Sequence, residues 1–102
     1  MRYAVIAQAA AVADAEGIRS ELARRDPDYA ARWIDELDEV FARLAEFPNR
    51  FALAPESAHS DFPVRHVLVG HHRLLYAVHG NSVRILRIRH AARRPFKPGE
   101  LN

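Results

Sequence analysis

Residues 70–90 read GHHRLLYAVHGNSVRILRIRH, and among their aliphatics stand Arg73, Arg84, Arg87, Arg89, His71, His72, His79 and His90. Side chains of these types recognise anions. A guanidinium is a planar fork of N–H donors that fits a phosphate or carboxylate with two hydrogen bonds, and every basic residue of the chain but Lys97 is an arginine. The histidines at 59, 66, 71, 72, 79 and 90 show no HExxH or comparable ligand spacing, and adjacent His71 and His72 would point to opposite faces of a strand. Without cysteine there is neither a thiolate metal site nor a disulfide. No metal and no cofactor are expected.

The formal charge of +2 conceals a polarity. Residues 1–61 hold 7 basic against 12 acidic residues, whereas residues 62–102 hold 8 against 1. The C-terminal part is therefore a cation, suited to nucleic acid or to an acidic protein segment. At 102 residues and 49% hydrophobic content, the chain is long enough for one domain and too short for two. The N-terminal apolar run is broken by Asp14 and Glu16, and no stretch approaches the length of a membrane span. A soluble cytoplasmic protein with no membrane partner is the expectation.

The elements that must hold these cations can be read from periodicity. Alternation over residues 2–7 predicts a short strand. Ala11, Ala15, Ile18 and Leu22 then form one stripe of an amphipathic helix that ends near Arg24 and Arg25. Asp26-Pro27 is an N-cap followed by a first-turn proline, and it opens a second helix to Glu46 with the stripe Ala30, Ile34, Leu37, Phe41 and Leu44, flanked by Trp33 and Val40. Pro48 stops it. Residues 47–63, with three prolines, read as a long surface loop. Strands follow at 64–69, 72–79 and 82–90, joined by Gly70-His71 and Gly80-Asn81. The order is β-α-α-β-β-β, an α+β fold with a helical hairpin on one face of a small antiparallel sheet. Residues 1–94 make the domain, and 95–102 form a C-terminal tail expected to be flexible.

With two-residue turns throughout, strand pairing sorts the side chains. Arg65, Val67, Val69, Leu74, Tyr76, Val78, Val83, Ile85 and Arg87 share the face assigned to the helices. The opposite, open face then carries His66, Arg73, His79, Arg84 and His90 around Leu68, Leu75, Leu86 and Ile88. A partly apolar sheet face ringed by cations has the character of a docking surface.

Taken with the helix AARWIDELDEVFARLAEFP and the APES loop, the segment VRHVLVGHHRLLYAVHGNSVRILRIRH resembles the RelE/ParE toxin superfamily of bacterial type II toxin-antitoxin modules, over nearly all of residues 2–94. The resemblance implies a toxin silenced by a cognate antitoxin in a hetero-oligomer whose antitoxin carries the DNA-binding domain, so that this chain does not read DNA by itself. It further implies one of two targets. RelE- and YoeB-like members cleave mRNA on the ribosome, and ParE-like members poison DNA gyrase.

For cleavage, a base, an acid and cations for the phosphorane charge are needed. Arg73 resembles the phosphate-binding arginine of YoeB-like enzymes, Glu56 stands where they have a loop carboxylate base, and His90 or Arg93 lies near their C-terminal catalytic groups. The lysine cluster of RelE and the His-Tyr terminus of YoeB are missing, while the His-x-x-Arg-Arg ending is more similar to the ParE branch, a group associated with plasmid stabilisation. A gyrase poison has no catalytic constellation. Its antitoxin- or target-binding residues would be Arg65, Arg73, Arg84, Arg87, His90, Arg93, Leu68, Leu75 and Leu86. An inactive, interaction-only member of the same fold is the third reading.

Overall fold

Asp26 ends one helix and begins the next. Its N–H donates to the Leu22 carbonyl at 2.8 Å, closing α1 (Ala9–Arg25), while its carboxylate accepts from the Asp28 and Tyr29 N–H groups and opens α2 (Pro27–Glu46). The computed structural model describes residues 2–101. Before the hairpin lies β1 (Ala4–Ala7), and after it a 3₁₀ turn (Pro55–His59) inside the proline-rich loop, then β2 (Arg65–Val69), β3 (His72–His79) and β4 (Ser82–His90).

The sheet order is β1-β4-β3-β2. β2, β3 and β4 form the expected antiparallel meander, but β1 pairs parallel with β4, from Ala4 opposite Ser82 to Ala7 opposite Ile85. The sheet is thus mixed rather than antiparallel, because the chain crosses through both helices before returning to its first strand.

The helices cover one face over a core of Ala11, Trp33, Val40, Leu44, Val69, Leu74, Tyr76, Val83, Ile85 and Ile88. On α2 the buried residues are Ala30, Trp33, Val40, Leu44 and Ala45, with Ile34, Leu37 and Phe41 packed partly covered beside them, so the expected stripe faces the core with its centre turned towards the flanking Trp33 and Val40. The Trp33 indole N–H donates to the Val69 carbonyl at 3.0 Å, and Glu36 accepts the Gly70 N–H at 2.7 Å. These two bonds lock α2 onto the β2–β3 turn. Gly70 has φ +57°, and a Cβ there would stand 3.0 Å from the Tyr29 hydroxyl. Both backbone shape and close approach demand glycine.

One β-bulge decides the faces. Tyr76 pairs with Ile85 but Leu75 pairs with Arg87, so Leu86 is an extra residue in β4 and the alternation shifts beyond it. Arg87, expected on the helix face, instead comes to the opposite side with Arg89. Ile88 and His90, expected on the open face, turn towards the helices. Nor is the second face open. A smaller core of Ala54, Val64, Leu75, Ala77, Leu86 and Phe96 lies there, capped by the 3₁₀ loop and by residues of the tail.

Candidate functional site

Arg73, on the central strand β3, points into this second core with Glu56 of the 3₁₀ turn directly opposite. Its two terminal nitrogens reach the two carboxylate oxygens at 3.1 and 2.7 Å, a bidentate pair between side chains that are both almost wholly buried. Glu56 Oε2 also accepts the Phe96 N–H at 2.9 Å, and His66 Nδ1 is 3.2 Å from Arg73. Burial alone would push the Glu56 carboxyl up, but the Arg73 and Phe96 hydrogen bonds and the Arg73 charge together hold it below its ordinary value. Burial, followed by the Arg73 charge, lowers the His66 imidazole, with Glu56 opposing.

His90 belongs to a different neighbourhood. It lies opposite His72 in the β3–β4 ladder, with ring centroids 5.1 Å apart, and stacks on His71 at 6.3 Å. His72 packs edge-on against Trp33, on the helix side of the sheet. The three residues expected to catalyse are therefore split between the two faces, Arg73 and Glu56 on one and His90 on the other.

The cations expected to bind a partner fall into three conditions. Arg84 and Arg93 are exposed and form no side-chain ion pair among the described residues. Arg65 is half-buried and donates to the Phe51 carbonyl at 2.6 Å. Arg87 is held by Asp14 of α1, Nε to Oδ2 at 2.7 Å and Nη2 to Oδ1 at 3.0 Å, and those bonds raise its pKa. Of the three leucines, Leu68 is 56% exposed, while Leu75 and Leu86 are buried under the loop and tail.

Two hollows adjoin these groups. One, of about 360 Å³ between α1 and the end of β4, is lined by Asp14, Ile18, His72, Arg87, His90 and Arg93. The other, of about 240 Å³, lies among His66, Val67, Leu68 and Arg73. No group of three or more His, Asp or Glu side chains among the described residues is placed to hold a metal ion, and no described helix is long and apolar enough to cross a membrane.

A sequence model of the ParE toxin of type II toxin-antitoxin systems, parDE, matches residues 5–95. The chain belongs to the ParE toxin family. A comparison with curated protein sequences found no match. Among solved structures, a chain of the chromosomal ParDE toxin-antitoxin system from P. aeruginosa is similar with a TM-score of 0.69 and 22% identity, covering 87% of this chain and 96% of that one. A chain of the RelBE2 toxin-antitoxin complex from Mycobacterium tuberculosis gives 0.60 and 24%, covering 88% and 99%. At such identities the likeness speaks for the fold, two helices on a four-stranded mixed sheet. The ParE family match stops at residue 95, one residue before Phe96.

Sequence reading passed over Phe96 and Asp14. An aromatic residue between Pro95 and Pro98 is a signal that a tail packs, since a solvated linker has little use for a phenyl ring. Asp14 left no such signal. Its role exists because β1 stops at Ala7, leaving the Ile88 N–H beyond the parallel ladder, and the Asp14 carboxylate accepts it at 2.9 Å.

Proposed function

We propose that this ParE-family toxin acts by binding DNA gyrase rather than by cutting RNA, and that a cognate antitoxin restrains it in the cytoplasm. The observation carrying this reading is the Arg73–Glu56 pair. A general base needs access to its substrate and a pKa near the working pH, yet Glu56 is almost wholly buried against Arg73 and Phe96 and its carboxyl is held low. An arginine that receives a phosphate must be reachable, and Arg73 is almost wholly buried with its charge already met by Glu56. His90 lies on the opposite face, where it cannot serve the same phosphate.

What remains available is binding chemistry. Arg84 and Leu68 are exposed on the face away from the helices, and His90 and Arg93 are exposed by the end of β4, so an acidic antitoxin segment and the cellular target would draw on cations from both sides of the sheet. The deciding experiment is a gyrase supercoiling and cleavage-complex assay on the folded chain, with and without its neighbouring antitoxin. Inhibition relieved by the antitoxin is expected. Ribosome-dependent mRNA cleavage without gyrase inhibition would replace this reading with the ribonuclease one, and neither activity would leave an interaction-only protein.

A further inference from the structure

Between Ala91 and Leu101, Phe96 is the only buried residue. Its ring lies against two guanidinium groups, the Arg89 carbon 3.6 Å and the Arg87 carbon 4.9 Å from the ring centroid. Beneath it are Leu75 and Leu86, and its N–H donates to Glu56. Four residues on, Glu100 accepts from the Lys97 N–H and from Arg94, and its carbonyl accepts from Arg87 at 3.3 Å. Among the described residues the Glu100 carboxylate bonds only within the tail, so the footprint on the sheet is one aromatic anchor, one backbone N–H on a buried acceptor and one backbone carbonyl on Arg87.

The occupant fits its seat imperfectly. A hollow of about 80 Å³ remains between tail and loop, lined by residues including Glu56, His59, Phe62, Lys97, Pro98 and Leu101. Charge is mismatched too, because residues 94–101 bring Arg94 and Lys97 against a single acid, Glu100, onto a face already carrying Arg84, Arg87 and Arg89. An acidic segment with the same anchor would gain where the tail loses.

We propose that residues 95–101 are a tethered occupant of a docking groove on the sheet face, and that the groove accepts in trans an extended acidic peptide carrying an aromatic anchor. The inference is independent of the cellular target, since its readout is peptide binding. The probe is a fluorescently labelled peptide PFEPGEL, the tail sequence with glutamate in place of lysine, and the receptor is the full chain. Phe96→Ala removes the competing anchor without touching Arg87, Arg89 or Glu56. That variant should bind the probe at least about tenfold more tightly than the unsubstituted chain, with binding lost when the probe's phenylalanine becomes alanine. Equal affinity for the two chains, or no binding to a folded Phe96→Ala chain, overturns the groove. Should that variant fail to fold, hydrogen exchange on the unsubstituted chain decides. A displaceable tail lets the Phe96 N–H exchange at least about 100-fold faster than that of Leu74 on the central strand, whereas equal protection means the tail leaves only when the domain unfolds.

Discussion

Arg73 and Glu56 meet through two parallel hydrogen bonds in the core on the face of the sheet away from the helices, and the second Glu56 oxygen also takes the N–H of Phe96. One carboxylate thus joins the central strand, the proline-rich loop and the tail. Removing either partner strands the other as a buried, unpaired charge. Glu56→Ala should therefore cost about 3–5 kcal/mol in urea denaturation, and Arg73→Ala a similar amount. Replacing both by Leu and Met should recover much of that loss, because the desolvation of the pair disappears with it. Additive losses in the double variant would show that the two groups are not coupled.

Acid should weaken the fold in two stages. Burial, with His90 and His71 beside it, lowers the pKa of His72 from its ordinary 6.5, and its Nδ1 has no hydrogen-bond partner among the described residues. The unfolded chain then takes up this proton before the folded one. Stability from His72 is complete above pH 6.5 and is lost as pH falls towards the lowered folded value. Glu56, lowered from 4.5, adds a second loss in the carboxyl range. The His66 imidazole, lowered as well, adds to the first stage, so thermal melts from about pH 8 to about pH 2 should show His72→Phe shrinking the first stage and leaving the second unchanged.

Asp14 carries both the Arg87 guanidinium and the Ile88 N–H where β1 no longer covers β4. Asp14→Ala leaves that amide without its acceptor and should cost about 1–3 kcal/mol. Asp14→Asn keeps one oxygen for the amide and should cost less. Equal losses for the two would mean that the charge on Arg87, rather than the amide bond, is what Asp14 serves.

If the exposed cations meet the partners, Arg84→Glu and Arg93→Glu should weaken antitoxin binding by about tenfold each, mainly by slowing association, and more strongly at low salt. Arg73→Glu is unsuited to this test, since it would place two carboxylates together in a core. Surface binding kinetics at two salt concentrations would separate a lost interface charge from a damaged fold.

Periodicity and turn chemistry made most of the fold legible in the sequence. Asp26-Pro27 marks the helix junction because a side-chain acceptor and a missing N–H suit the same turn, and Gly70 and Gly80 mark the hairpins because only glycine takes their positive φ freely. The β-α-α-β-β-β order, the second helix and two of the strands carry the expected bounds, and the family resemblance rested on those same segments. Local rules do not reach across strands. Whether β1 pairs parallel with β4 depends on where two helices return the chain, and whether His90 looks towards Arg73 or away depends on one bulged residue, Leu86, whose position is a property of the β3–β4 pairing. The pairing of Glu56 with Arg73 and the covering of Leu75 and Leu86 by Phe96 likewise join residues 17 or more positions from their partners in strand β3, or bring an apparently structureless tail onto the sheet. Sequence by itself determined the elements and the wealth of cations. Tertiary packing alone decided which cations are spent inside the molecule and which stay exposed, because a buried charge is tolerated only where a specific partner meets it.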